Sequence, residues 1–207
     1  MPIDFKKTEK ELYQPQTIPS IIDVSEMTFI AVDGHGDPNT SSAYAAAVEV
    51  LYALSYAIKM GNKAVLEYVV PPLEGFWSVA DEFKGSGAAI SDKSKFEWTS
   101  IIRQPDFVTD GVFEASKASL AKKKPELDTS KAKLIKYTEG LCVQATHIGP
   151  FDTESATVAA MERYAVENGY MIDITETRRH HEIYLSDPRK VAPEKMKTVI
   201  RHPVRKR

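Results

Sequence analysis

The sequence is poor in cysteine: Cys142 is the one thiol among 207 residues. A lone cysteine excludes an internal disulfide and any metal site built on several thiolates. Excess charge is equally scarce, with 27 Lys and Arg against 29 Asp and Glu, a formal balance of −2. So balanced a chain has no basic field to hold a nucleic-acid backbone, and direct nucleic-acid binding is not expected. No apolar run nears the ~20 residues that cross a bilayer, and no membrane contact is expected. The opening stretch MPIDFKKTEKELYQP lacks the apolar segment of a secretory signal. A phosphate-cradling glycine loop, a nucleophile elbow and a Ser-His-Asp order are missing too. Gly34-His35-Gly36 is too short for a dinucleotide fingerprint. The starting class is a soluble cytoplasmic protein without a cofactor.

What is present is an ordinary globular composition, 43% apolar and 27% charged. A chain of this size closes a core without disulfides or metals. Aromatics are frequent, with nine Tyr, eight Phe and two Trp, several of them clustered.

The order of elements repeats. Phe29 to Val32 is a β-favouring run ending in Asp33-Gly34-His35-Gly36-Asp37-Pro38. The cap cluster Thr40-Ser41-Ser42 then opens an Ala-rich helical stretch, Tyr44 to Met60, which stops at Gly61-Asn62. Strand-like runs follow at Val65 to Val70, Leu73 to Val79 and, beyond a turn at Gly85-Ser86-Gly87, Lys95 to Arg103. In the second half Leu141 to Thr146 is a strand and His147-Ile148-Gly149-Pro150-Phe151-Asp152 the breaker. A helix follows over Thr153 to Asn168, with Asp152 and Thr153 suited to its N-cap, and then strands at His180 to Leu185 and Lys197 to Val204. Between the halves, Val108 to Lys124 reads as a linking helix with a basic last turn. The expectation is one α+β domain over 1–207. It is a duplicated strand–helix–strand–strand module, with antiparallel sheets, helices on one face and the halves related by a pseudo-twofold. The first repeat covers about 25–105, the linking helix about 106–125 and the second repeat about 130–204.

The second strand of each half carries an acid followed two places later by an aromatic: Glu74 and Phe76 in one, Glu182 and Tyr184 in the other. Strand alternation puts each pair on one face. A carboxylate among rings is poorly solvated, which suits it to act as a base or to pair with an organic cation. Tyr68 shares the parity of Glu74 and offers a phenol to a bound carbonyl, while Trp77 and Trp98 supply flat apolar walls. Strand Glu residues commonly face solvent and strand aromatics commonly serve packing; recurrence of the pattern at matching places weighs against that reading here.

His180-His181-Glu182 lacks the spacing of a two-histidine helical site, and neighbouring strand residues face opposite ways. His180 and Glu182 share a face, yet no third ligand stands out, so a metal is not expected and the histidines read as supporting groups. His147 and His35 read as turn residues, and Cys142 as an inert buried thiol.

At these residues the chain resembles the GyrI-like small-molecule-binding family, whose relatives include effector domains of AraC-type and multidrug-responsive regulators. The resembling segments are Tyr137 to Gln144 with His147-Ile148-Gly149-Pro150, His181 to Pro188, Leu73 to Trp77, and Lys197 to Val204. The resemblance runs from about Phe29 to Val204 and implies a duplicated fold with a ligand groove at the pseudo-twofold, the family's central acid falling on Glu182. Regulator relatives carry a separate DNA-binding helix-turn-helix, for which the residues before Phe29 leave no room, so the expected likeness is to stand-alone members. Three functions follow as expectations. The first is a module binding flat hydrophobic or cationic small molecules through Glu74, Phe76, Trp77, Trp98, His180 and Tyr184. The second is a cofactor-free hydrolase opening cyclopropanoid genotoxins, with Glu182 as general base and Tyr68 bonding the carbonyl. The third is an interaction module for a protein such as DNA gyrase.

Overall fold

The computed structural model describes residues 2–79 and 92–207, and the turn expected at Gly85-Ser86-Gly87 lies outside them. The chain is a mixed α and β fold made of two compact units. The first comprises Met1–Ile3, Met27–Pro71 and Gly75–Lys136; the second comprises Asp4–Glu26, Pro72–Glu74 and Tyr137–Arg207.

In the first unit, β2 (Met27–His35) and β4 (Phe96–Gln104) pair antiparallel with Gly34 opposite Trp98, and β3 (Leu73–Val79) and β5 (Lys133–Tyr137) flank them in the order β3-β4-β2-β5. The helix α3 (Ser42–Gly61) packs on β2, β4 and α4 (Asp110–Lys123). Its start is set by Ser41, of the expected cap cluster, whose Oγ accepts the Tyr44 N–H at 3.3 Å. The Asn62 amide closes the far end on the Ile58 carbonyl at 2.8 Å. Leu51, Leu54 and Ile58 recur at helical spacing and are fully buried on the side of α3 that packs on β2 and β4, each worth roughly 2 kcal/mol of transfer energy. The run Val65 to Val70 does not form a strand: its one pairing is a parallel bridge from Tyr68 to Ile3. Pro71 and Pro72 follow at once and lack the N–H groups that a ladder would need.

The second unit is built on β9 (Lys197–Lys206), with strand order β1-β6-β9-β8 and the short β7 (Tyr170–Ile172) also pairing β9. Here β1 is Ser20–Val24, β6 is Gly140–Ile148 and β8 is His180–Tyr184, and every pairing of β9 is antiparallel. The helix α5 (Ser155–Glu167) covers one sheet face, where Met161 and Ala165 meet Val143, Ala145, Ile200 and Val204. Two one-turn helices, α1 (Phe5–Thr8) and α2 (Lys10–Tyr13), supply Phe5, Leu12 and Tyr13 to Ile183 and Val199 on the other face. The helix α5 starts later than Thr153 because Phe151–Thr153 first makes a 3-10 turn, with the Thr153 hydroxyl donating to the Pro150 carbonyl at 2.7 Å. Glu154 takes the N-cap position instead, without a capping hydrogen bond.

Candidate functional site

Alternation along β8 sends His180, Glu182 and Tyr184 to one face and His181 and Ile183 to the other. The ladder aligns His181 with Arg201 and Glu182 with Ile200 of β9. Ile200 belongs to the core under α5, so Glu182 stands on the α5 side. Two separate clusters of charge result.

On the α5 side, His180 Nε2 lies 3.0 Å from Glu182 Oε1 and His180 Nδ1 lies 2.7 Å from His202 Nε2. Burial lowers the proton affinity of His180, but the hydrogen bond and charge of Glu182, with Glu154 behind them, outweigh it and the pKa is raised. His202 goes the other way, pushed down to about 3 by burial and by the charge of His180. With both ring nitrogens protonated, His180 donates to Glu182 from one and to His202 from the other. Neutral His202 accepts at Nε2, which leaves its own proton on Nδ1. That Nδ1 is buried and has no hydrogen-bond partner, and His202 is only 3% exposed.

A second acid joins them. Glu154, at the start of α5, brings its carboxylate to His180 and Glu182 so that one ligand atom from each lies within 4.8 Å of the others. With a proton on His180 Nε2 this trio is an ion-paired group, and a metal would first have to displace that proton. Tyr184, on the same face of β8, meets the Phe151 ring edge to face at 5.6 Å between centroids. Phe151 is exposed and Tyr184 half-buried, so carboxylates and rings share one partly open face of the second unit. His147 serves the turn before α5, with Nδ1 2.9 Å from Thr157 Oγ1 and Nε2 3.1 Å from the Pro150 carbonyl.

The opposite face holds a closed network. Both ring nitrogens of His181 lie 3.0 Å from carboxylates, Nδ1 from Glu139 and Nε2 from Glu74. Arg201 donates to Glu139 Oε2 at 2.8 Å, to Gln144 Oε1 at 3.1 Å and to the Leu12 carbonyl at 2.8 Å. The Tyr13 hydroxyl donates to Glu74 at 3.4 Å. Burial opposes the charged forms, yet the Glu139 carboxylate pushes His181 up to about 9. Burial likewise raises Glu139, but Arg201 and His181 together hold it at about 2. Two cations and two anions balance in a space closed to water. This is a structural brace. Cys142 lies buried near it, its thiol pKa raised by burial and by the Glu139 charge, which keeps the sulfur inert.

The expected site residues thus separate. His180, Glu182 and Tyr184 are brought together. Glu74 instead belongs to the brace: it touches His181, whose side chain leaves β8 on the face opposite Glu182. In the first unit, Trp77 and Trp98 both meet Tyr44, at 6.0 and 5.0 Å between centroids, and Trp77 also meets Phe96 at 5.8 Å. Phe76 is buried. Tyr68 is fully buried against Phe107, its hydroxyl unpaired and its pKa pushed up to about 12 by burial, so it keeps its proton. Glu154, Phe151 and His202 escaped the sequence reading. For His202 a signal existed, since pairing the expected strands antiparallel sets it beside His180. For Glu154 none did, because a shift in where a helix starts decides where it points.

The family described as GyrI-like small molecule binding domain matches residues 18–205. No curated protein matches the chain. A solved structure of an uncharacterized conserved protein from Listeria innocua is 48% identical with a TM-score of 0.91, covering 98% of this chain and 100% of its own. A hydrolase from Listeria innocua is similar to the same degree, 48% identical with a TM-score of 0.88 over 98% of this chain and 100% of that one. The EcmrR C-terminal domain shares the fold at 12% identity and a TM-score of 0.53, covering 91% of this chain and 98% of that one.

Proposed function

The chain belongs to the GyrI-like small-molecule-binding family, and from that membership we propose that it binds flat hydrophobic or cationic organic molecules at the Glu182 face of the second unit. The observation that carries this reading is a carboxylate only 8% exposed, hydrogen-bonded by His180, on the strand face that also carries Tyr184, whose ring meets that of Phe151. Partial desolvation strengthens attraction between Glu182 and a ligand cation, and ring faces favour a delocalised cation over a hydrated ammonium. Expressed as a measurement, Glu182→Gln is expected to weaken binding of ethidium, a flat fluorescent cation, at least roughly tenfold by fluorescence titration. Unchanged affinity would sink the assignment.

A second reading is favoured by the 48% identity to a Listeria innocua hydrolase. Here the ligand is a cyclopropane conjugated to a carbonyl, and no cofactor is involved. Glu182 takes a proton from water as the water oxygen bonds to a ring carbon. The strained C–C bond breaks, its electron pair passes into the conjugated system as an enolate, and a proton returned to the enolate completes addition of water across the broken bond. Incubation with a cyclopropane-bearing alkylator, followed by mass spectrometry, separates the readings: ring-opened product lost in Glu182→Gln supports hydrolysis, and binding without product supports the binder alone.

A further inference from the structure

We propose that His180 is a positioning residue for Glu182, and that His202 fixes His180 in turn, so that a ligand meets the carboxylate in one orientation. The inference rests on the reading that Glu182 meets the ligand, and it goes further by giving the two histidines work there.

Three groups stand in line across two strands: His202 Nε2 to His180 Nδ1 at 2.7 Å, then His180 Nε2 to Glu182 Oε1 at 3.0 Å. His180 uses both nitrogens, so its ring cannot turn without breaking one contact or the other. Its hydrogen bond engages Oε1 of Glu182 and leaves the ligand to Oε2. The two imidazole planes cross at 65°, with centroids 4.8 Å apart, an edge approach that lets one ring donate to the other.

The His202 side chain is buried with Nδ1 lacking any partner. A buried ring nitrogen without a partner, whether donor or acceptor, is a cost that an apolar ring of similar shape, such as Phe, would remove. If the position served packing alone, the apolar ring would be the better choice. What His202 does that Phe cannot is share a hydrogen bond with His180, and that contact leads directly to Glu182. An unrelieved cost beside a partly exposed acid is the pattern of a group kept for function.

The test reads ethidium affinity and melting temperature on four variants of the full chain. His202→Phe removes the orphaned nitrogen together with the one that meets His180, so it is expected to melt no lower than the parent while binding ethidium at least roughly threefold more weakly. A purely structural role would move these two readouts together. His180→Leu is expected to weaken binding about tenfold, and His180→Gln, which keeps one donor, to recover most of that loss. In a Glu182→Gln background, His180→Leu is expected to add less than about twofold, because the carboxylate it positions has gone. Equal losses in both backgrounds, or parent-like binding by His202→Phe, overturn the proposal. Should His180→Leu fail to fold, His202→Phe and His180→Gln decide it. Binding lost in Glu182→Gln but kept in every histidine variant refutes the positioning role and leaves the site standing. Binding kept in Glu182→Gln refutes the site itself.

Discussion

Arg201→Met is expected to cost about 3–5 kcal/mol in chemical unfolding. The substitution keeps much of the aliphatic volume and removes one buried cation. Glu139 would then face His181 alone, while Gln144 Oε1 and the Leu12 carbonyl lose their donor. Two buried acceptors and an under-compensated carboxylate cannot be re-solvated, since Arg201 and Glu139 are both almost completely enclosed. A urea midpoint shifted by less than about 1 kcal/mol would contradict this account of the brace. The brace also sets a pH profile. His181, pushed up to about 9, contributes stability that is complete below its ordinary value of 6.5 and is lost as pH rises through 9. Glu139, held at about 2, contributes above its ordinary 4.5 and loses that as pH falls through 2. His202, pushed down to about 3, resists a proton that the unfolded chain accepts at 6.5, so stability drops as pH falls from 6.5 towards 3. Stability should therefore peak near pH 6.5 and fall on both sides, and a urea midpoint that keeps rising to about pH 9 would refute the balance.

Gly34→Val is expected to cost about 3 kcal/mol. Gly34 sits opposite Trp98 in the β2–β4 ladder, and a Cβ built there would lie 2.2 Å from the Trp98 ring carbon Cη2 and 2.3 Å from Cζ2. The indole cannot step aside: Trp98 is buried and Tyr44 meets it edge to face at 5.0 Å. Relief must come from prising the ladder apart or re-aiming a packed Trp. Thermal melting should place the variant well below the parent, and Trp98→Phe in the same background should recover part of the loss by making room.

Much of this molecule could be read from local pattern. The helix Ser42–Gly61 announced itself through a cap, an apolar stripe and a Gly-Asn stop. Strand parity alone placed His180 with Glu182 and turned His181 away. Parity failed for Glu74 and Glu182, because alternation says which residues share a face of one strand and not which face of the sheet that becomes. The brace was illegible for a plainer reason: Leu12, Glu74, Glu139, His181 and Arg201 are scattered along the chain, with no local period to link them. The short helices α1 and α2 were missed because one turn leaves no stripe to see. In Val65 to Val70, β-favouring residues lost to the two prolines behind them.

The contact from Arg201 to the Leu12 carbonyl spans 189 residues of sequence. The second unit draws on residues 4–26 as well as 137–207, whereas the first lies largely within residues 27–136. During synthesis, therefore, the segment bearing α1 and α2 emerges before β9 and waits while the residues between them are made. In that interval Phe5, Leu12 and Tyr13 have none of their β8 and β9 partners to bury against. Loop-closure entropy grows only slowly with such a separation, so the final stability bears little of the cost. The search time bears it instead, because non-local contacts form late. The charge brace is then a seal set at the close of folding, and a nascent chain stalled before β9 would expose the apolar face that chaperones bind.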